Sequence, residues 1–143
     1  MVDTPVKLGI IGLGAMGGRV LEVAAAHADL VVVRASDLDE ATVLRVGEAH
    51  PSVAVSRDAA DVLDADDVEA VYIAVPPAYH AELTVAALKA GKAVFCEKPL
   101  AVSAEDARAM VEAAASSGLA TAVKLRAVGP GRGAGGRTGA AGR

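Results

Sequence analysis

Val6-Lys7-Leu8-Gly9-Ile10-Ile11-Gly12-Leu13-Gly14-Ala15-Met16-Gly17 reads as a short strand running into a glycine-rich turn. The residues from Val6 to Ile11 form an apolar, β-branched run of the kind buried in a parallel sheet. Behind the turn, Met16, Val20 and Val23 recur at spacings of four and three, which predicts a helix. Gly12, Gly14 and Gly17 form G-x-G-x-x-G at the junction. An ordinary turn of an α/β protein can look the same, but a glycine triplet between a strand and a helix has a specific use. Gly12 permits the tight turn, Gly14 lets a pyrophosphate approach the backbone, and Gly17 lets the helix pack against the strand. Leu13, Ala15 and Met16 complete the loop. Its free N–H groups and the positive end of the helix suit a dinucleotide phosphate.

Further along the chain the alternation continues. Leu30–Val33 and Ala70–Val75 are strand-like, with shorter candidates at Val53–Val55, Ala93–Phe95 and Ala120–Leu125. Leu83, Ala87 and Ala90 mark one later helix. Another starts at Ser103, a capping residue with Asp106 placed to reach back, runs along Ala107, Met110, Val111 and Ala114, and stops at Gly118. Strand and helix in turn predict an α/β fold: a doubly wound, mostly parallel Rossmann sheet in the order 3-2-1-4-5-6.

Bulk properties narrow the function classes. A chain of 143 residues fits one domain, and 53% hydrophobic with 22% charged residues excludes a disordered body. The only aromatics are Tyr72, Tyr79 and Phe95, so single-stranded nucleic acid has little to stack on. Residues 1–125 carry ten basic and eighteen acidic side chains, and that acidic surface repels a nucleic-acid backbone. Cys96 is the sole cysteine, and no His, Cys or Asp spacing suggests a metal. The sequence has neither a signal peptide nor an apolar run as long as a membrane span, so a cytoplasmic location is expected.

Asp37 lies at the end of the second strand, twenty residues after Gly17. A carboxylate there accepts from the adenosine ribose hydroxyls and repels a 2′-phosphate, which predicts NAD rather than NADP. The alternative role is to cap the next helix within Ser36-Asp37-Leu38-Asp39. Two more motifs follow later strands: Ala74-Val75-Pro76-Pro77-Ala78-Tyr79-His80, and Cys96-Glu97-Lys98-Pro99-Leu100. The carboxyl ends of such strands are where open α/β sheets bind ligands.

Together with the glycine loop, these motifs resemble the glucose-fructose oxidoreductase / inositol dehydrogenase (Gfo/Idh/MocA) family over about residues 5–126. Pro77 departs from the family, which commonly has asparagine there. The resemblance implies an N-terminal Rossmann domain followed by a larger α/β domain, with hydride moved between a nicotinamide cofactor and a sugar, polyol or related hydroxyl compound. It implies that Lys98 orients the reacting oxygen and assists proton transfer as the catalytic residue. Ala74, Val75, Pro76 and Pro77 would lie along the nicotinamide ribose, Glu97 would contact that ribose, and Pro99 would fix the turn. A solvated loop charge pair remains the plain reading of Glu97 and Lys98. His80 either approaches the ribose or caps its helix.

Residues 127–143 are Gly-, Ala- and Arg-rich, without apolar periodicity, and are expected to be disordered. No substrate domain is expected in the chain. An out-of-frame or truncated product is one explanation of this tail, and an RNA-binding arginine-glycine tail is another. The sequence therefore reads as an NAD-binding oxidoreductase domain, inactive alone, that binds a sugar or polyol only when a second domain is supplied. A stand-alone, non-catalytic NAD-binding module is the alternative. Exposure of a docking face would favour self-association.

Overall fold

The computed structural model describes residues 4–124. The segment 127–143, expected to be disordered, lies outside them. Six parallel strands stand in the order β3-β2-β1-β4-β5-β6: β1 (Val6–Ile11), β2 (Leu30–Ser36), β3 (Ala54–Ser56), β4 (Ala70–Ile73), β5 (Ala93–Cys96) and β6 (Thr121–Val123). This is the doubly wound order read from the sequence. Between the strands lie α1 (Ala15–Ala25), α2 (Glu40–Ala49), the short α3 (Ala60–Leu63), α4 (His80–Lys89) and α5 (Ala104–Ser117). A 3₁₀ turn over Pro77–Tyr79 leads into α4.

Two aliphatic cores sit on either face of the sheet. Leu21 and Ala24 of α1 and Val46 of α2 pack with Leu8, Ile10 and Val32. On the other face, Val62 of α3, Ala87 and Leu88 of α4 and Met110 of α5 pack with Ile11, Val71, Ile73 and Val94. Register slips once between β1 and β2, where Leu8 faces Val32 but Gly9 faces Arg34. That bulge turns Ala35 to the α1 face beside Ile10 and sends Ser36 to the opposite side with Ile11.

Helix faces differ from expectation. Met16 and Val23 are exposed, and Gly17, Leu21 and Ala24 form the buried stripe of α1. In α4 the buried set is His80, Thr84, Ala87 and Leu88, while Ala90 lies at the exposed end. In α5 only Met110 is fully buried, and Val111 points to solvent. Small side chains explain the shift: Gly17 and Ala24 let α1 approach the sheet more closely than Met16 or Val23 would. Ser103 Oγ caps α5 as expected, accepting from the Asp106 N–H at 3.0 Å, and Gly118 ends it in the left-handed region at φ 64°, but the return bond expected from the Asp106 carboxylate is not among the recorded contacts.

Candidate cofactor and catalytic site

β1 ends at Ile11, and the next residue must turn sharply to start α1. Gly12 does so at φ 94°, with its N–H donating to the Ser36 carbonyl at 2.8 Å. A Cβ on Gly12 would press on the Ala74 carbonyl, and one on Gly17 would overlap the Gly12 carbonyl. The fold itself needs both. Gly14 differs: it is exposed, and a Cβ there would meet nothing within 4 Å. Gly14 is also the N-cap of α1, with no side chain satisfying the free N–H groups. The other α-helices carry an acid in their first turn, whereas α1 has none. Its positive end is left open.

Asp37 follows β2 and leans onto this loop. Oδ2 accepts from the Leu13 N–H at 2.7 Å, and Oδ1 accepts from the Asp39 N–H at 2.9 Å. Capping of α2 belongs to Asp39, whose Oδ2 accepts from the Thr42 N–H at 2.9 Å and its hydroxyl at 2.8 Å. An open groove of about 540 Å³ runs past Leu13, Gly14 and Ala15, flanked by Arg19, Thr42 and Arg45.

The two later motifs stand beside the loop. Ala74 donates its N–H to the Ile11 carbonyl at 2.8 Å, which sets the proline turn against the end of β1. Pro76 is exposed and Pro77 opens the 3₁₀ turn. The Glu97 N–H donates to the Ile73 carbonyl at 3.0 Å, so the second motif begins one strand further along. Lys98 is exposed and, among the described residues, its ammonium has no hydrogen-bond or ion-pair partner. The Lys98–Pro99 peptide is cis.

Glu97 is buried, and its Oε1 takes both the Tyr72 hydroxyl and the Lys124 ammonium, the latter at 3.0 Å. Burial works against its charge, but these two donors outweigh it and hold the carboxyl below the usual carboxylate range. Burial, and then Glu97 itself, push the Tyr72 phenol above its ordinary range. The Tyr72 ring meets Phe95 edge to face, with centroids 5.2 Å apart. Neither Tyr72 nor Lys124 stands out in the sequence. They come together because β4, β5 and β6 are neighbours in register, Ile73 beside Cys96 and Cys96 beside Val123.

His80 is fully buried, with each ring nitrogen against a backbone carbonyl, Val75 at 2.8 Å and Pro99 at 2.7 Å. Burial pushes the Cys96 thiol up to about 11, so it stays protonated at neutral pH. Among the described residues no three His, Cys, Asp or Glu groups are placed to hold a metal. None of the described helices is long and apolar enough to cross a membrane.

A family model described as an oxidoreductase family with an NAD-binding Rossmann fold matches residues 6–125. This chain belongs to the Gfo/Idh/MocA family. Inositol 2-dehydrogenase of Klebsiella pneumoniae strain 342 is 42% identical over 115 residues, which cover 78% of this chain and 34% of that protein. The 1,5-anhydro-D-fructose reductase of Ensifer adhaerens is 55% identical over 53 residues, 37% of this chain and 16% of that one. Among solved structures, myo-inositol 2-dehydrogenase of Lactobacillus plantarum superposes with a TM-score of 0.79 at 26% identity, over 85% of this chain and 36% of that chain. The chain spans about a third of the length of the inositol dehydrogenases it matches. The Gfo/Idh/MocA assignment covers the glycine loop and both later motifs, and makes this an NAD-binding oxidoreductase domain.

Proposed function

We propose that this domain binds NAD in preference to NADP, and that Lys98 acts on a hydroxyl of a sugar or polyol. Gly14 carries the cofactor reading: the protein leaves open space where any side chain would fit, at the start of a helix whose first turn carries no acid. A fold has no use for such a glycine, whereas a pyrophosphate lying on the backbone does. The N–H groups of Gly14, Ala15, Met16 and Gly17 would hold the phosphates, while those of Gly12 and Leu13, taken by Ser36 and Asp37, shape the loop. Asp37, oriented by two backbone donors, would accept from the adenosine ribose and repel a 2′-phosphate. Ala74, Val75, Pro76 and Pro77 would line the nicotinamide ribose. Glu97 would add Oε2 as an acceptor, since its recorded contacts fall on Oε1.

The nicotinamide ring, when bound, supplies the hydride chemistry. Lys98 would hold the substrate oxygen: its ammonium would donate a hydrogen bond that stabilises negative charge there, and in the direction of carbonyl reduction it would give that oxygen its proton as the hydride arrives at carbon. The inositol dehydrogenases and the anhydrofructose reductase among the relatives support a polyol or sugar. Exposure of Lys98 leaves substrate without walls, and positioning carries much of the rate of such reactions. Negligible turnover is therefore expected from this chain by itself.

The test is a fluorescence titration with NADH and NADPH, followed by turnover assays over sugars and inositols, with Lys98→Ala alongside. NADH binding without turnover agrees with the proposal, and failure to bind either nucleotide defeats it. Turnover by the chain that vanishes in Lys98→Ala contradicts the expected inactivity. Fusion to the remainder of the Klebsiella enzyme separates the two classes: an active chimera supports the oxidoreductase, and an inactive one that still binds NADH supports a non-catalytic binding module.

A further inference from the structure

Val75 and Pro99 belong to different turns, one after β4 and the other after β5, and His80 joins them. Its ring is fully buried at the start of α4, with Nε2 2.8 Å from the Val75 carbonyl oxygen and Nδ1 2.7 Å from the Pro99 carbonyl oxygen. A carbonyl oxygen can only accept. Each contact therefore needs a ring N–H, and a neutral imidazole has only one. With a single proton, the other nitrogen would set its lone pair against a carbonyl oxygen at hydrogen-bond distance, which is repulsive. Helix capping does not account for the placement, because the N-cap of α4 is Tyr79 and the His80 ring contacts carbonyls rather than free N–H groups.

We infer that His80 is a positioning residue, a doubly protonated clamp that fixes the Lys98 turn against the Pro76–Pro77 turn. Its two bonds reach one residue past Lys98 and one residue before Pro76, so it holds both turns without touching a ligand. The inference rests on the proposed function in taking these turns as the nicotinamide end of the site. Of the charged side chains on the elements that meet the ring, Glu82 of α4 is exposed, Glu97 is held by Tyr72 and Lys124, and Lys98 is exposed. None of them bonds the ring among the described contacts. Loss of either bond would let Pro99 drift and carry the Lys98 ammonium with it, and a displacement of about an ångström is enough to spoil a reacting geometry.

The decisive measurement is the imidazole nitrogen-proton NMR spectrum of the isotope-labelled full chain at neutral pH, with His27 and His50 as internal references. His80 is expected to show slowly exchanging protons on both ring nitrogens, assigned by their loss in His80→Gln. A single ring proton overturns the clamp. The second measurement is the NADH affinity of His80→Leu and His80→Gln. Leucine removes both donors and should weaken binding about ten-fold, whereas the two amide N–H groups of glutamine should recover most of it. Affinity unchanged in His80→Leu overturns the positioning role. If the parent chain binds no NADH, the cofactor reading fails on its own. The clamp is then judged by the ring spectrum and by the Lys98 and Leu100 amide shifts in the two variants, where unchanged shifts overturn it. Should His80→Leu not fold, the parent's ring spectrum decides.

Discussion

Two lysines bracket β5, and the chain treats them in opposite ways. Lys92 precedes the strand, is 5% exposed, and donates its ammonium to the Ala65 carbonyl at 2.6 Å and the Val68 carbonyl at 2.9 Å. Lys98 follows the strand, stands in solvent, and has no such partner among the described residues. The first closes the loop between α3 and β4, satisfying the buried Val68 carbonyl and adding a second donor to the Ala65 carbonyl, which also accepts from the Val68 N–H at 3.4 Å. The second leaves its donors free at the end of the sheet where ligands bind in folds of this kind. A buried cation bonded to two carbonyls serves stability. An exposed one without a recorded partner, two strands from the glycine loop at the same end of the sheet, is free for the role proposed for it.

The largest effect should come from breaking the amino-end lysine. Lys92→Met keeps most of the stem but strands the buried Val68 carbonyl and takes one of two donors from the Ala65 carbonyl, and should cost about 3 kcal/mol of stability. Thermal unfolding should show a midpoint lower by about 10 °C. A midpoint within a degree of the parent would mean that water replaces the ammonium and that the two ends do not differ as described.

The carboxyl end should answer in ligand binding instead. Asp37→Ala should change the ratio of NAD to NADP affinity by about ten-fold, read by titrating both nucleotides. An unchanged ratio would remove Asp37 from the cofactor site and weaken the functional side of the contrast.

A third test uses the Tyr72-Glu97-Lys124 group. The Glu97 carboxyl is held below its ordinary range in the folded chain, so its contribution is present above the unfolded value and lost as pH falls through the folded one. The Tyr72 phenol is raised, so the folded chain keeps a proton that the unfolded chain releases, and stability falls as pH climbs past the ordinary tyrosine range. Denaturant midpoints measured against pH should slope at both limits. Glu97→Gln should flatten the acid limb and Tyr72→Phe the alkaline limb. Parallel profiles in parent and variants would show that the group adds no pH dependence.

The smallest effect belongs to Lys98→Met, which should leave stability within about 0.5 kcal/mol of the parent because an exposed side chain with no partner is removed. A large loss would place Lys98 with Lys92 as a structural cation, and erase the contrast.

Strand order was readable from the glycine loop and from the alternation of apolar runs with helical spacing, since parallel neighbours need crossovers of one hand. Helix faces were not. In stretches rich in alanine and valine several stripes share the same period, and only the sheet decides that Gly17 and Ala24, not Met16 and Val23, turn inward. Of the candidate site, the glycine loop, Asp37 and the two turns could be named from local motifs. Tyr72 and Lys124 could not, because their meeting with Glu97 depends on the register of three strands 25 and 27 residues apart in sequence. The same register gives the missing signal: with β4, β5 and β6 adjacent, the residues just past their ends, Ala74, Glu97 and Lys124, fall in a row.

The hydrogen bond from the Leu13 N–H to Asp37 Oδ2 also sets a rule for redesign. On the role proposed for Asp37, favouring NADP would mean removing its negative charge, and alanine is the obvious replacement. Alanine, however, also removes one of the two bonds that tie the glycine loop to the end of β2, leaving only that from the Gly12 N–H to the Ser36 carbonyl, so gain at the 2′-position would be masked by loss at the phosphates. Asparagine discards the charge yet keeps an oxygen facing Leu13. It is the substitution in which cofactor choice and loop order come apart, and so the proper starting point for any such engineering.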